Sequence, residues 1–233
     1  MKWTITPILA GEFGMVRDDI KFRGGDPAIT GMVPSIIFML KSSQATVLVD
    51  TSFGETQHCI EQFGLIIERE GNYGDVLKRN GIVPEEVDAI ILTHLDWDHA
   101  DNLDYFEKST IYCQKRELDG LESSDPLFLE GLKNAKGRMK ILDGDYEVYP
   151  GISLKLWGGH TYGLQMVVVN THEGEVLIPS DNIMTLRNFS ENIPIGLCKE
   201  PAKCETALSW ARSTFNKVFP SHDYTTLNGG ENA

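Results

Sequence analysis

Thr93-His94-Leu95-Asp96-Trp97-Asp98-His99 places two imidazoles and two carboxylates within one short turn, directly after the apolar run Ala89-Ile90-Ile91-Leu92. Imidazole nitrogen and carboxylate oxygen are the donors that divalent metals prefer. A core strand that stops on four such groups needs something charged to hold them. Three later apolar runs end the same way. Gly158-Gly159-His160-Thr161 follows 152–157, Pro179-Ser180-Asp181-Asn182 follows 175–178, and Ser221-His222-Asp223 follows 217–219. Of six histidines, only His58 and His172 fall elsewhere, where surface or turn positions account for them. Unrelated polar strand ends would not sort histidines in this way, so the pattern predicts a metal-dependent enzyme.

The elements that must position these groups are legible from periodicity. Residues 3–9, 35–40 and 45–50 read as strands, the last two joined by a hairpin at Ser42-Ser43-Gln44. Arg23-Gly24-Gly25-Asp26-Pro27 reads as an exposed loop. Residues 55–80 mix polar and apolar side chains at helical spacing, with breaks near Gly71 and a stop at Asn80-Gly81. A strand at 109–113 opens a helix from Gln114, and 120–140 reads as a surface excursion overhanging the site. Strands at 152–157, 166–170 and 175–178 follow, with a turn at His172-Glu173-Gly174. The helix 203–215 carries Ala207, Leu208, Trp210 and Ala211 on one face and precedes a short strand at 217–219. No linker, low-complexity tract or repeat interrupts the chain, which implies one domain over 1–233.

Bulk properties exclude several partners. The 233 residues are 41% hydrophobic and 24% charged, a globular balance. The formal charge of −13 disfavours nucleic acid. No run approaches the ~18 apolar residues of a membrane span, and the N-terminus lacks the apolar core of a signal peptide. Cys59, Cys113, Cys198 and Cys204 form no Cys-x-x-Cys and are expected as reduced thiols, Cys59 and Cys113 as small buried groups. These features predict a cytoplasmic protein acting on a small molecule.

The His-x-Asp-x-Asp-His run, the Gly159-His160-Thr161 turn, Asp181 and His222 together resemble the metallo-β-lactamase superfamily, with Asp96 where that family usually has its second histidine. The resemblance implies a four-layer αββα sandwich and two divalent metal ions, zinc first, with iron or manganese as alternatives. By position it implies His94, Asp96 and His160 around one ion, Asp98, His99 and His222 around the other, and Asp181 bridging. It also implies that Asp50, ending an early strand at Asp50-Thr51-Ser52, supports the motif loop rather than binding metal. Ile91 to His94, Asn102-Leu103 and the stretch after Asp181 are similar to the N-acyl-homoserine lactonase branch. That branch implies hydrolysis of a lactone or related ester by hydroxide held between the ions, with Asp98 or Asp181 relaying a proton.

Two departures bear on this expectation. A third site carboxylate lowers the net charge by one, which favours harder metals and acidifies a bound water less. Met184 stands where the lactonases carry a tyrosine three residues after the bridging aspartate, leaving Tyr162 and Tyr224 as candidate substitutes. Trp97 and Phe189 are further candidates to contact substrate, with loops 10–34 and 120–140 supplying the remaining contacts. The competing readings are a diiron redox enzyme of the same fold and a non-catalytic metal-containing small-molecule binder.

Overall fold

The computed structural model describes residues 1–54, 64–123 and 125–229. Eleven strands lie in two sheets among the described residues. They are β1 (Thr4–Arg17), β2 (Thr30–Lys41), β3 (Thr46–Val49), β4 (Ile66–Glu68), β5 (Ala89–Ile91), β6 (Thr110–Gln114), β7 (Met139–Leu142), β8 (Tyr146–Tyr149), β9 (Ile152–Leu156), β10 (Gln165–Thr171) and β11 (Gly174–Ile178). The larger sheet runs β4-β1-β2-β3-β5-β6-β7 and the smaller runs β11-β10-β9-β8. Helices are α1 (Asp18–Lys21), α2 (Tyr73–Arg79), α3 (Lys115–Asp119), α4 (Pro126–Ala135), α5 (Leu186–Glu191) and α6 (Pro201–Thr214).

The period of two along each strand decides which layer each side chain joins. On β2, Ile36, Phe38 and Leu40 face the second sheet, while Ile37 turns to the opposite core. On β10, Val167 and Val169 join the inter-sheet core, and Met166 and Val168 face outward. Because both faces of both sheets are apolar, each needs a covering layer. Val76 and Leu77 of α2 and Phe128, Leu132 and Ala135 of α4 cover the first sheet. Ala207, Leu208 and Ala211 of α6 cover the second. The result is the αββα order expected from the resemblance.

Several boundaries differ from expectation. Strand β1 continues to Arg17, because Gly11 and Gly14 are packing positions: a Cβ on Gly11 would collide with the Phe53 ring. Within the span read as helical, 66–68 is a strand antiparallel to β1, since Ile67 alternates inward while Ile66 faces out. Residues 55–63, with His58 and Cys59, lie outside the described residues. The helix in this span is α2, stopped by Asn80 and by Gly81 at φ +65°. The excursion 120–140 contains α4, capped by Asp125, whose carboxylate accepts from the Leu127 and Phe128 amides. The expected strand 217–219 reduces to one parallel bridge between Val218 and Leu177. His172 is exposed at its turn, and Cys113, Cys198 and Cys204 are free thiols. No described helix is long and apolar enough to cross a membrane.

Parallel pairing of β3, β5 and β6 sends their C-terminal ends to one edge, where Asp50 and the His94–His99 loop emerge. The second sheet is joined to that loop by buried Gln165, whose amide donates to the Thr93 carbonyl at 2.9 Å and whose Nε2 donates to the Leu92 carbonyl at 2.7 Å. Gln114 Nε2 completes the link at 2.8 Å to Gln165 Oε1. Replacing Gln165 with alanine leaves the Leu92 carbonyl and a Gln114 side-chain N–H, both on the larger sheet, without this partner, at a cost of about 1–3 kcal/mol. The urea midpoint of that variant should fall with an unchanged slope.

Candidate metal centre

Each site side chain stands just past a strand end, and most of the work lies in how its ring or carboxylate is aimed. Asp50, buried and held at φ +62°, accepts from the Thr93 amide and hydroxyl, each at 2.8 Å, and lies 2.9 Å from His99 Nδ1. His222 Nδ1 lies 2.8 Å from the Pro34 carbonyl, and His160 Nδ1 lies 2.8 Å from the Leu197 carbonyl. These oxygens accept only, so each Nδ1 carries a proton, and Nε2 is the nitrogen left to exchange its own proton for a metal. His94 obeys the same rule through hydroxyls. Ser180 Oγ donates to Thr93 Oγ1, which donates to Asp50, leaving both oxygens to accept from His94 Nδ1 at 3.1 and 3.2 Å.

The four Nε2 atoms therefore converge on Asp96, Asp98 and Asp181. His160 Nε2 is 2.9 Å from Asp96 Oδ2, and His94 Nε2 is 3.5 Å from the same oxygen. Asp98 Oδ2 is 3.6 Å from both His99 Nε2 and His222 Nε2. Asp181 Oδ1 lies 3.2 and 3.1 Å from that second pair, and its Oδ2 lies 3.7 Å from His160. His94 Nε2 and Asp181 Oδ1 are buried without a hydrogen-bond partner, which is costly unless a cation takes their electron pairs. Three clusters, His94–Asp96–His160, Asp98–His99–His222 and His94–His99–Asp181, each bring three donor atoms within 4.8 Å. The donor set fits divalent metal ions.

Electrostatics agree. Burial opposes protonation of His160, yet the Asp96 hydrogen bond and the Asp181 charge outweigh it and push its pKa up to about 9. Burial likewise opposes protonation of His99 and His222, and Asp181 leads the groups that raise both. Burial works to keep Asp96 and Asp181 neutral. The facing histidines, His94 and His160 for the first, His222 and His99 for the second, hold both carboxyls below the usual range. This is a field that seeks positive charge.

Supporting residues that sequence reading missed complete the frame. Asn182 Oδ1 accepts from the His160 amide at 3.0 Å, and Gly159 at φ +109° admits it, since a Cβ there would collide with that oxygen. Buried Glu117 accepts from Thr161 Oγ1 and the Gly163 amide, each at 2.8 Å, tying α3 to the His160 turn. Asn182 adjoins Asp181, which was a local signal; Glu117 carried none.

A cavity of about 690 Å³ opens onto Asp96, Asp98, His160 and Asp181. Its walls include Phe13, Val16, Ile20, Leu65 and Leu121, together with Trp97, Tyr162 and Met184. Trp97 packs against Phe13 and Phe53 at ring distances of 5.2 and 5.8 Å. Phe189 and Tyr224 do not reach the cavity. Phe189 packs against the α6 cluster with the Arg212 guanidinium over its ring, and the Tyr224 hydroxyl donates to Glu12.

A family model described as Metallo-beta-lactamase superfamily matches residues 30–222. The chain belongs to the metallo-beta-lactamase superfamily. Within the superfamily it falls beside N-acyl homoserine lactonases. One from Bacillus sp is 32% identical over 174 residues, spanning 70% of this chain and 69% of that protein. Another from Bacillus cereus is 31% identical over 174 residues with the same coverage. The solved structure of a B. thuringiensis AiiA mutant with N-decanoyl-L-homoserine at its active site superposes at TM-score 0.83. It is 24% identical, with 99% of this chain and 98% of that chain covered, and it shares the fold.

The raised histidines have a sign that can be checked. In chelator-stripped protein, their favourable interactions persist below the unfolded value of about 6.5 and are lost as pH rises through the His160 value of about 9. The melting temperature of stripped protein should fall across that window. Asp50→Asn should cost about 10–100-fold in metal affinity with the circular dichroism spectrum retained.

Proposed function

We propose that the protein is a metal-dependent hydrolase that opens lactones, with N-acyl homoserine lactones the first class to test. The observation that carries this reading is the cavity in which an apolar wall of Phe13, Val16, Ile20, Leu65 and Leu121 meets Asp96, Asp98, His160 and Asp181. Walls of this kind suit an acyl chain, and a polar floor suits the ring to be opened. The lactonase activity of these relatives and the superfamily's chemistry point the same way.

In this reading His94, Asp96 and His160 hold one divalent ion, Asp98, His99 and His222 hold the other, and Asp181 lies between them. Such ions, when bound, supply Lewis acidity toward a carbonyl and lower the pKa of water. The protein's part is positioning and proton handling. Asp98 and Asp181 border the cavity, placed to take a proton and return it to the departing alkoxide oxygen. Trp97, Phe13 and Leu121 exclude water from the acyl chain. Met184 offers no hydroxyl at its position, so the phenol on the cavity wall is that of Tyr162.

The test is release of acid from a panel of lactones and linear esters by protein loaded with Zn(II) or Mn(II). Turnover with redox-inert Zn(II) and no oxygen uptake is expected, and its absence with every lactone defeats the proposal. Asp98→Ala should lower kcat/KM by about 10²–10⁴. Tyr162→Phe should lower kcat more than it raises KM if the phenol meets the developing charge.

A further inference from the structure

The seven side chains of the centre divide into two sets of equal composition. His94 and His160 share Asp96 Oδ2, at 3.5 and 2.9 Å. His99 and His222 share Asp98 Oδ2, at 3.6 Å each. Asp181 is turned so that Oδ1 faces the second set, at 3.2 and 3.1 Å, and Oδ2 faces His160 of the first, at 3.7 Å. Each set thus contains two imidazole nitrogens, one carboxylate of its own and one oxygen of the shared carboxylate. Three of the four histidines take their tautomer from acceptor-only oxygens and the fourth from the hydroxyl chain, so all four offer the same atom, Nε2.

We propose that Asp96 makes the two halves of the centre equivalent, so that the protein binds two ions of one kind with matched affinity, including ions that favour oxygen donors such as Mn(II). The inference rests on the reading that these side chains hold metal. Its physical basis is donor chemistry. Ligand type, more than raw affinity, separates Mn(II) from Zn(II), and each carboxylate exchanged for an imidazole shifts a site toward Zn(II). With a histidine at 96, one half would offer three imidazoles and the other two, and the halves would part in charge by one unit. Aspartate removes both differences.

Equivalence of donors does not extend to access. The Asp96 side chain is 41% exposed and lines the cavity with His160, whereas Asp98, which also lines it, is 10% exposed and its partners His99 and His222 do not line it. Matched affinities combined with unequal exposure mean that the Asp96 half exchanges its ion faster. Equilibrium and kinetic measurements therefore give different signatures.

The experiment is Mn(II) binding to chelator-stripped full-length protein, with free Mn(II) counted from its six-line electron paramagnetic resonance signal. The native protein should take up two ions in a single phase. Asp96→His should take up one ion as before and a second only at about 10–100-fold higher Mn(II), while still loading two Zn(II) by elemental analysis. Asp96→Asn keeps the shape and removes the charge, and should weaken the second Mn(II) and the second Zn(II) alike. Two well-separated phases in the native protein, or an Asp96→His isotherm identical to the native one, overturns the proposal. A native protein that binds two Mn(II) equally yet hydrolyses no lactone defeats only the function proposed above. Lactone turnover with unequal sites defeats only the equivalence.

Discussion

Three carboxylates and four imidazole Nε2 atoms meet in a space of a few ångströms, and most of those atoms are shielded from water. Groups crowded together in this way need a counter-charge, and the interior cannot screen them as water would. Two of them, His94 Nε2 and Asp181 Oδ1, have no hydrogen-bond partner at all. Such an arrangement persists only when the surrounding fold holds it and a cation completes it. Much of the architecture can be understood as that restraint.

The restraint has three parts. Parallel strands deliver the His94–His99 loop and Asp50 to one edge of the larger sheet. Gln165 and Gln114 bind the smaller sheet to the same loop, so that Asp181 and His160 approach from the other layer at a fixed distance. Asp50, Thr93 and Ser180 then form a continuous hydrogen-bond chain that serves both His94 and His99. Apolar packing on four faces supplies the stiffness, and the polar chain supplies the aim.

The candidate ligand positions were legible because each is a local event: an apolar period of two ends, and a histidine or aspartate follows. His94, Asp96, Asp98, His99, His160, Asp181 and His222 lie together in the structure for that reason. Asp50 was legible as a support through its strand-end position. What escaped detection depends on distant residues. Gly11 looks like a loop residue until the Phe53 ring that crosses it is known. The helix α4 hides its period, Phe128, Leu132 and Ala135, among the exposed Leu127 and Leu129. Tyr224 and Phe189 sit near the ligands in sequence, but proximity along the chain does not fix direction after a turn. One ring packs on α6, and the other hydroxyl reaches Glu12.

The two anchors at His160 and His222 are main-chain carbonyls, those of Leu197 and Pro34. A main-chain oxygen survives every point substitution that leaves the backbone path intact. Leu197 itself borders the cavity. One residue thus performs two tasks: its backbone steers a ring, and it borders the chamber. Mutation can reshape the chamber there while the ring stays in place. A lineage exploring new acyl chains or new rings therefore has a position at which it can change its diet without dismantling its chemistry. At Asp50, where the side chain itself does the steering, no such freedom exists.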